Sequence, residues 1–132
     1  MKVFVKKRKS EKSLNEGTQS EYILVRHIED SAKYRPKDFD SWKDYWEAKS
    51  NRKFPNQNTQ CECCKETRSP SEFVGAHIEE VSNSTKRYIY PLCEVCNGKY
   101  GKGKEKSPEF KVLKSKCVPF LVDESVIVKP EE

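Results

Sequence analysis

Cys61-Glu62-Cys63-Cys64 and Cys93-Glu94-Val95-Cys96 are the two stretches on which the fold turns. Each contains a C-x-x-C, and 28 residues lie between them. Two thiolates with two residues between them, held on a tight turn, can face one ion; a second such knuckle completes a tetrahedron. The spacing predicts a structural Zn2+ on Cys61, Cys64, Cys93 and Cys96. Within the first knuckle, Cys61 with Cys64 has the proper gap, which leaves Cys63 as a spare thiol. Cys117 stands alone in an apolar stretch and reads as a small core residue.

The rest of the composition agrees with a metal staple. The chain has 132 residues, 36% of them charged and 34% apolar. A single domain this polar has a small core, and metal binding adds folding free energy that the core lacks. A secreted disulfide framework would need an export signal. The start, Met1-Lys2-Val3-Phe4-Val5-Lys6-Lys7-Arg8-Lys9, has positive charge but no apolar run behind it. The chain is therefore expected in the cytoplasm or another reducing intracellular compartment. No stretch reaches the roughly 18 apolar residues of a membrane span, so no membrane partner is expected. A thiol-transfer role finds no support, because neither cysteine pair sits in a thioredoxin-like βαβ pattern.

Charge divides the chain unevenly. The formal net charge is +5, yet residues 99 to 116 hold seven lysines against Glu105 and Glu109. Residues 2 to 9 hold five basic side chains and no acid, while the last sixteen residues are net acidic. Basic clusters are either solvated surface or phosphate contacts. Lys99, Lys102, Lys104 and Lys106 are the candidates for nucleic-acid contact because they follow the second knuckle directly. They interleave with Gly98, Gly101 and Gly103, which are dense enough to end a helix within about a turn. The G-x-x-x-x-G-K-[ST] spacing of a P-loop is absent.

Three segments follow from these patterns. Residues 1–20 read as a basic mobile arm. Residues 21–60 carry an N-terminal strand at Tyr22-Ile23-Leu24-Val25 and a helix over 39–49. Phe39, Trp42, Tyr45 and Trp46 fall on one face of that helix, and Ser41 with Asp44 has capping-box spacing. Residues 61–132 form the zinc-binding core, closed by strands within 110–122 and 125–128.

The core resembles a known family. A first C-x-x-C, the stretch Val74-Gly75-Ala76-His77-Ile78 and then Pro91-Leu92-Cys93-Glu94-Val95-Cys96-Asn97 look like the zinc-stapled HNH nucleases of the ββα-metal superfamily. The resemblance spans residues 61 to about 102. It implies a treble-clef, HNH-like ββα core and a metal-dependent endonuclease acting on DNA or RNA. It also implies that His77 is the general base and that Asn97 holds a Mg2+ or Mn2+ ion. The chain departs from the family at two positions. Ala76 stands where the family has an acidic metal ligand, and Tyr88 where it often has an Asn that orients the base. Glu79, two residues beyond His77 on a strand, is the candidate stand-in.

His77 therefore has three open roles: general base, buried structural imidazole, or zinc ligand in place of Cys61 or Cys64. Asn97 is equally suited to capping a helix. His27 reads as an ordinary surface or core residue. The expected fold is a small α+β protein: a zinc-stapled core, an N-terminal aromatic helix and C-terminal strands. Its expected function is nucleic-acid binding of HNH-like type, with or without cleavage. The other reading is a non-catalytic zinc module acting as a subunit or packing element in a protein assembly.

Overall fold

The computed structural model describes residues 21–29, 31, 34–120 and the backbone of 127 and 128. The arm expected over 1–20 lies outside the described residues. At the centre is an antiparallel hairpin of Phe73–Glu80 (β5) and Arg87–Cys93 (β6), in register from Phe73 opposite Cys93 to Glu79 opposite Arg87. Both strands are rich in the aromatic and β-branched residues that suit a pleated surface. The early apolar run forms β1 (Tyr22–His27), which lies against β5 on one side and β7 (Phe110–Leu113) on the other. Beyond β6 comes the two-residue β8 (Val118–Pro119), so the sheet runs β7-β1-β5-β6-β8.

The expected strand over 110–122 is thus two strands, split by a 3-10 turn at Lys114–Lys116. The reason is topological, since β7 and β8 belong to opposite edges of the same sheet. A flat five-stranded sheet would hold its edges about 19 Å apart. Five Cα steps, one turn of which is helical, cannot comfortably cover that. The sheet therefore rolls, bringing its edges together. Tyr90 of β6 accordingly reaches β7: its phenol oxygen accepts from the Leu113 amide at 3.2 Å. The inside of the roll holds Val25, Ala76, Ile78 and Val112, all without solvent exposure. Burying an aliphatic side chain of this size stabilises the fold by roughly 1.5–3 kcal/mol.

The outside of the hairpin is covered by α1 (Trp42–Ser50). Ser41 caps it, its Oγ accepting from the Asp44 amide at 3.1 Å, and Asn51 ends it in the left-handed region at φ 59. The aromatic stripe is core: Trp42, Tyr45 and Trp46 are buried. Each also uses its polar end. The Trp42 and Trp46 indole N–H groups donate to the Tyr34 and Lys116 carbonyls, and the Tyr45 hydroxyl to the Pro119 carbonyl. Gly75 lets the helix lie this close, because a Cβ there would sit 2.6 Å from the Trp42 carbonyl carbon.

Two short pairs complete the fold. Arg35–Pro36 (β2) pairs with Ile127–Val128 (β9), and Thr59–Gln60 (β3) with Thr67–Arg68 (β4). After β6 the chain enters α2 (Glu94–Cys96) and a π-helical turn over Asn97–Gly101. The glycines stop the helix there, as their density predicts. The chain is a small α+β protein, and among its described residues no helix is long and apolar enough to cross a membrane.

Candidate metal centre

The first knuckle is a small hairpin. β3 and β4 clamp its ends, the Lys65 amide donates to the Cys61 carbonyl at 2.8 Å, and the Cys61 amide to the Glu66 carbonyl at 2.9 Å. Lys65 takes the left-handed conformation, φ 68, that the tight turn demands. The second knuckle is the corner where β6 becomes α2, which carries Cys93 and Cys96. The Sγ atoms of Cys61, Cys64, Cys93 and Cys96 all lie within 4.8 Å of one another. Cys63 is not one of the four, and the first-knuckle pair in the cluster is the one with the two-residue gap, Cys61 and Cys64.

This donor set fits zinc. A tetrahedron with Zn–S arms of about 2.3 Å has edges of about 3.8 Å. The Cys64 and Cys93 sulfurs are 3.8 Å apart. Six free cysteines and no disulfide leave all four thiols available. Their surroundings pull both ways: burial raises the Cys61 and Cys96 thiols above the ordinary value, while hydrogen-bond donors at the Cys61 and Cys64 sulfurs favour thiolate. The Cys93 amide donates to the Cys61 sulfur at 3.5 Å, and the Arg68 guanidinium to the Cys64 sulfur at 3.9 Å. Burial works against ionisation of Cys64, but the Glu66 amide and Arg68 outweigh it and hold the thiol at about 7. Such outer partners orient ligands and offset the negative charge of a four-thiolate site. Zinc bound here would tie the 59–68 hairpin to the end of β6, joining two segments far apart in sequence.

The two remaining thiols are not part of the four-sulfur cluster. Burial pushes Cys63 up to about 12, against a hydrogen bond with Cys96, so it remains a neutral thiol. Cys117 is half-buried, points its S–H at the Leu113 carbonyl at 3.6 Å and is likewise raised by burial to about 12.

His77 sits on β5 under α1. It is 2% exposed, with its ring edge-on to Trp42 at 4.7 Å and tilted against Phe120 at 5.0 Å. Burial, helped by His27, lowers its pKa to about 3, so the imidazole is neutral near pH 7. Its Nε2 has no hydrogen-bond partner among the described residues. Asn97 opens the turn after Cys96, and its Oδ1 lies 2.6 Å from where a Gly101 Cβ would be. Asn97 lines a cavity of about 330 Å³ with Ser41, Trp42 and Gly75; His77 is not among its lining residues.

The positions around His77 are committed elsewhere. Ala76 is fully buried on the inner face, opposite Tyr90. Glu79 is held by Arg26, whose Nε donates to it at 2.9 Å, and Glu80 accepts from the Tyr88 hydroxyl. The expected stand-in carboxylate is therefore already paired. Lys99, Lys102, Lys104 and Lys106 are exposed along the loop that leaves the second knuckle.

His27 is a feature that sequence reading undervalued. It is 1% exposed on the inner face, between Tyr100 at 5.4 Å and Phe110 at 5.6 Å. Neither ring nitrogen has a partner among the described residues, and burial lowers its pKa to about 4. The alternation of Val25 and His27 in β1 was the available signal.

Compared with known family models, curated proteins and solved structures, the chain matches none.

Proposed function

We propose that the chain is a zinc-stapled nucleic-acid-binding module of HNH-like type, with His77 as a buried structural imidazole. The carrying observation is the exposure of Lys99, Lys102, Lys104 and Lys106 on the segment leaving Cys96, the last member of a four-sulfur cluster. A staple at that point would hold the root of a lysine loop rigidly, so its ammonium groups meet a phosphate backbone without large ordering cost. The order of β5, β6 and α2 agrees with the ββα core that the HNH resemblance implies.

The test is binding against salt. Each phosphate contact contributes a slope of about 0.9 in log K against log salt, so replacing Lys99, Lys102 and Lys104 by Ala flattens the plot by about 2.7. A salt-independent interaction, or none at low salt, would favour the packing-element reading.

Cleavage is the second reading, favoured by Asn97 lining a cavity beside Gly75, on the strand face that also carries His77. Asn97 would then hold Mg2+ or Mn2+, and His77 would act as base. That requires its ring to come out from beneath Trp42 and Phe120.

A further inference from the structure

A second cavity, of about 240 Å³, opens between the end of α1, the 52–60 segment and the first knuckle. It is a separate place from the lysine loop. Its floor is apolar, formed by Trp46, Phe73 and Pro91, all buried. Its wall carries three cations, Arg52, Lys53 and Lys116, and among the described residues none has an ion-pair partner. The one carboxylate among the lining residues is Glu62, which already accepts from the Tyr90 hydroxyl at 3.4 Å and faces Lys65 at 3.9 Å. Three side-chain amides complete the wall. Gln60 spends its N–H on the Lys65 carbonyl and keeps its oxygen, while Asn56 and Gln57 are exposed.

This combination has a chemical reading. An apolar floor accepts a ring, amides supply donors and acceptors for a ring edge, and cations with no ion-pair partner among the described residues accept phosphate. The volume is a little under the ~300 Å³ at which pockets for drug-sized ligands begin, which suits one base with its sugar. A base inside a duplex is stacked and cannot enter; a base on a single strand can be splayed out. Resting on nucleic-acid binding as proposed above, we infer that this cavity takes one unstacked nucleotide of a single strand, base inward, with its phosphates on Arg52, Lys53 and Lys116. The lysine loop supplies affinity for any backbone, and the cavity selects the unpaired form.

The experiment uses the zinc-loaded full chain and fluorescence anisotropy with a labelled single strand and a duplex of the same length. The single strand should bind about tenfold more tightly, the worth of one base held on an apolar platform. The double variant Arg52→Ala/Lys53→Ala should weaken single-strand binding about tenfold and leave duplex binding nearly unchanged. Gln57→Ala removes no charge; it should alter the ranking of homopolymer strands and leave the salt slope alone. All three positions are exposed, so the variants keep the fold. Equal affinity for strand and duplex, or pocket variants that weaken both alike, would overturn the nucleotide pocket while leaving the lysine-loop reading standing. A free 5′-mononucleotide that binds as tightly as the strand would also overturn it, by making the ligand a small molecule. Absence of binding to either nucleic acid at low salt would sink the pocket and the proposed function together.

Discussion

The Leu113 amide donates to the Tyr90 hydroxyl oxygen at 3.2 Å, although their strands lie three places apart in the sheet. The bond spans the inside of the roll and fastens one edge strand to the hairpin. Tyr90→Phe keeps the ring and leaves a partly buried N–H without its acceptor, which costs about 1 kcal/mol or somewhat more. Urea unfolding of the zinc-loaded protein measures it, and unchanged stability would mean the contact contributes nothing.

The four-sulfur cluster predicts one equivalent of zinc. In small zinc domains the metal contributes on the order of 10 kcal/mol, so Cys93→Ser should leave most of the chain unfolded. Cys63→Ser should keep both metal and fold. Metal analysis of protein purified without chelator decides the matter; less than about half an equivalent contradicts the site.

Gly75→Ala would force a methyl group to within 2.6 Å of the Trp42 backbone. Overpacking of this kind costs roughly 1–3 kcal/mol. A lowered melting temperature with zinc content intact is the expected result, and a neutral substitution would show that α1 sits less tightly than the structure has it.

These three features were not equally legible. The cysteine spacing named all four sulfur positions, because ligand geometry acts over a few residues. Ser41 and the Trp42, Tyr45, Trp46 stripe gave the helix, again by local periodicity. The roll of the sheet depends on Tyr90 meeting Leu113 and on four residues, Lys114 to Cys117, bridging two edges, which no local pattern carries. Gly75 looked like any strand glycine, since its partner Trp42 lies on another element. The cavity beside Arg52 joins α1, the 52–62 stretch, β5, β6 and Lys116, and had no signal in any of them. His77 was left open among three roles, and its packing under Trp42 depends on tertiary contacts alone.

Both histidines are buried and depressed, to about 4 for His27 and about 3 for His77. In the unfolded chain they protonate near 6.5. Below that pH the unfolded state binds more protons than the native state, so stability falls as pH drops from about 6.5 toward 4 and is level above it. Each histidine contributes a slope of up to about 1.4 kcal/mol per pH unit. Proton NMR of the native imidazoles is the direct check: neither should titrate above pH ~5. A His77 that titrates near its ordinary value would mean its ring is open to solvent.

With its ring under Trp42 and Phe120, His77 should give a protein that binds nucleic acid without cutting it in Mg2+ or Mn2+. A plasmid-nicking assay separates the cases. Cleavage that needs either ion and disappears in His77→Ala, at unchanged zinc content, would establish the endonuclease instead.

The strand order carries a consequence for how the chain is made. Among the described residues β1 precedes every other strand, yet both its neighbours, β5 and β7, come from the later part of the chain. On the ribosome it emerges before both of them, so its pairing with β5 waits until β5 is out and its pairing with β7 until β7 follows. Domains generally fold as units as the chain is synthesised at about 5–20 residues per second. The β5–β6 hairpin, with both cysteine pairs beside it, can assemble as soon as Cys96 has left the tunnel. β1 is thus translated well before the strands that enclose it, and during that interval its edges are open to pairing with a neighbouring chain.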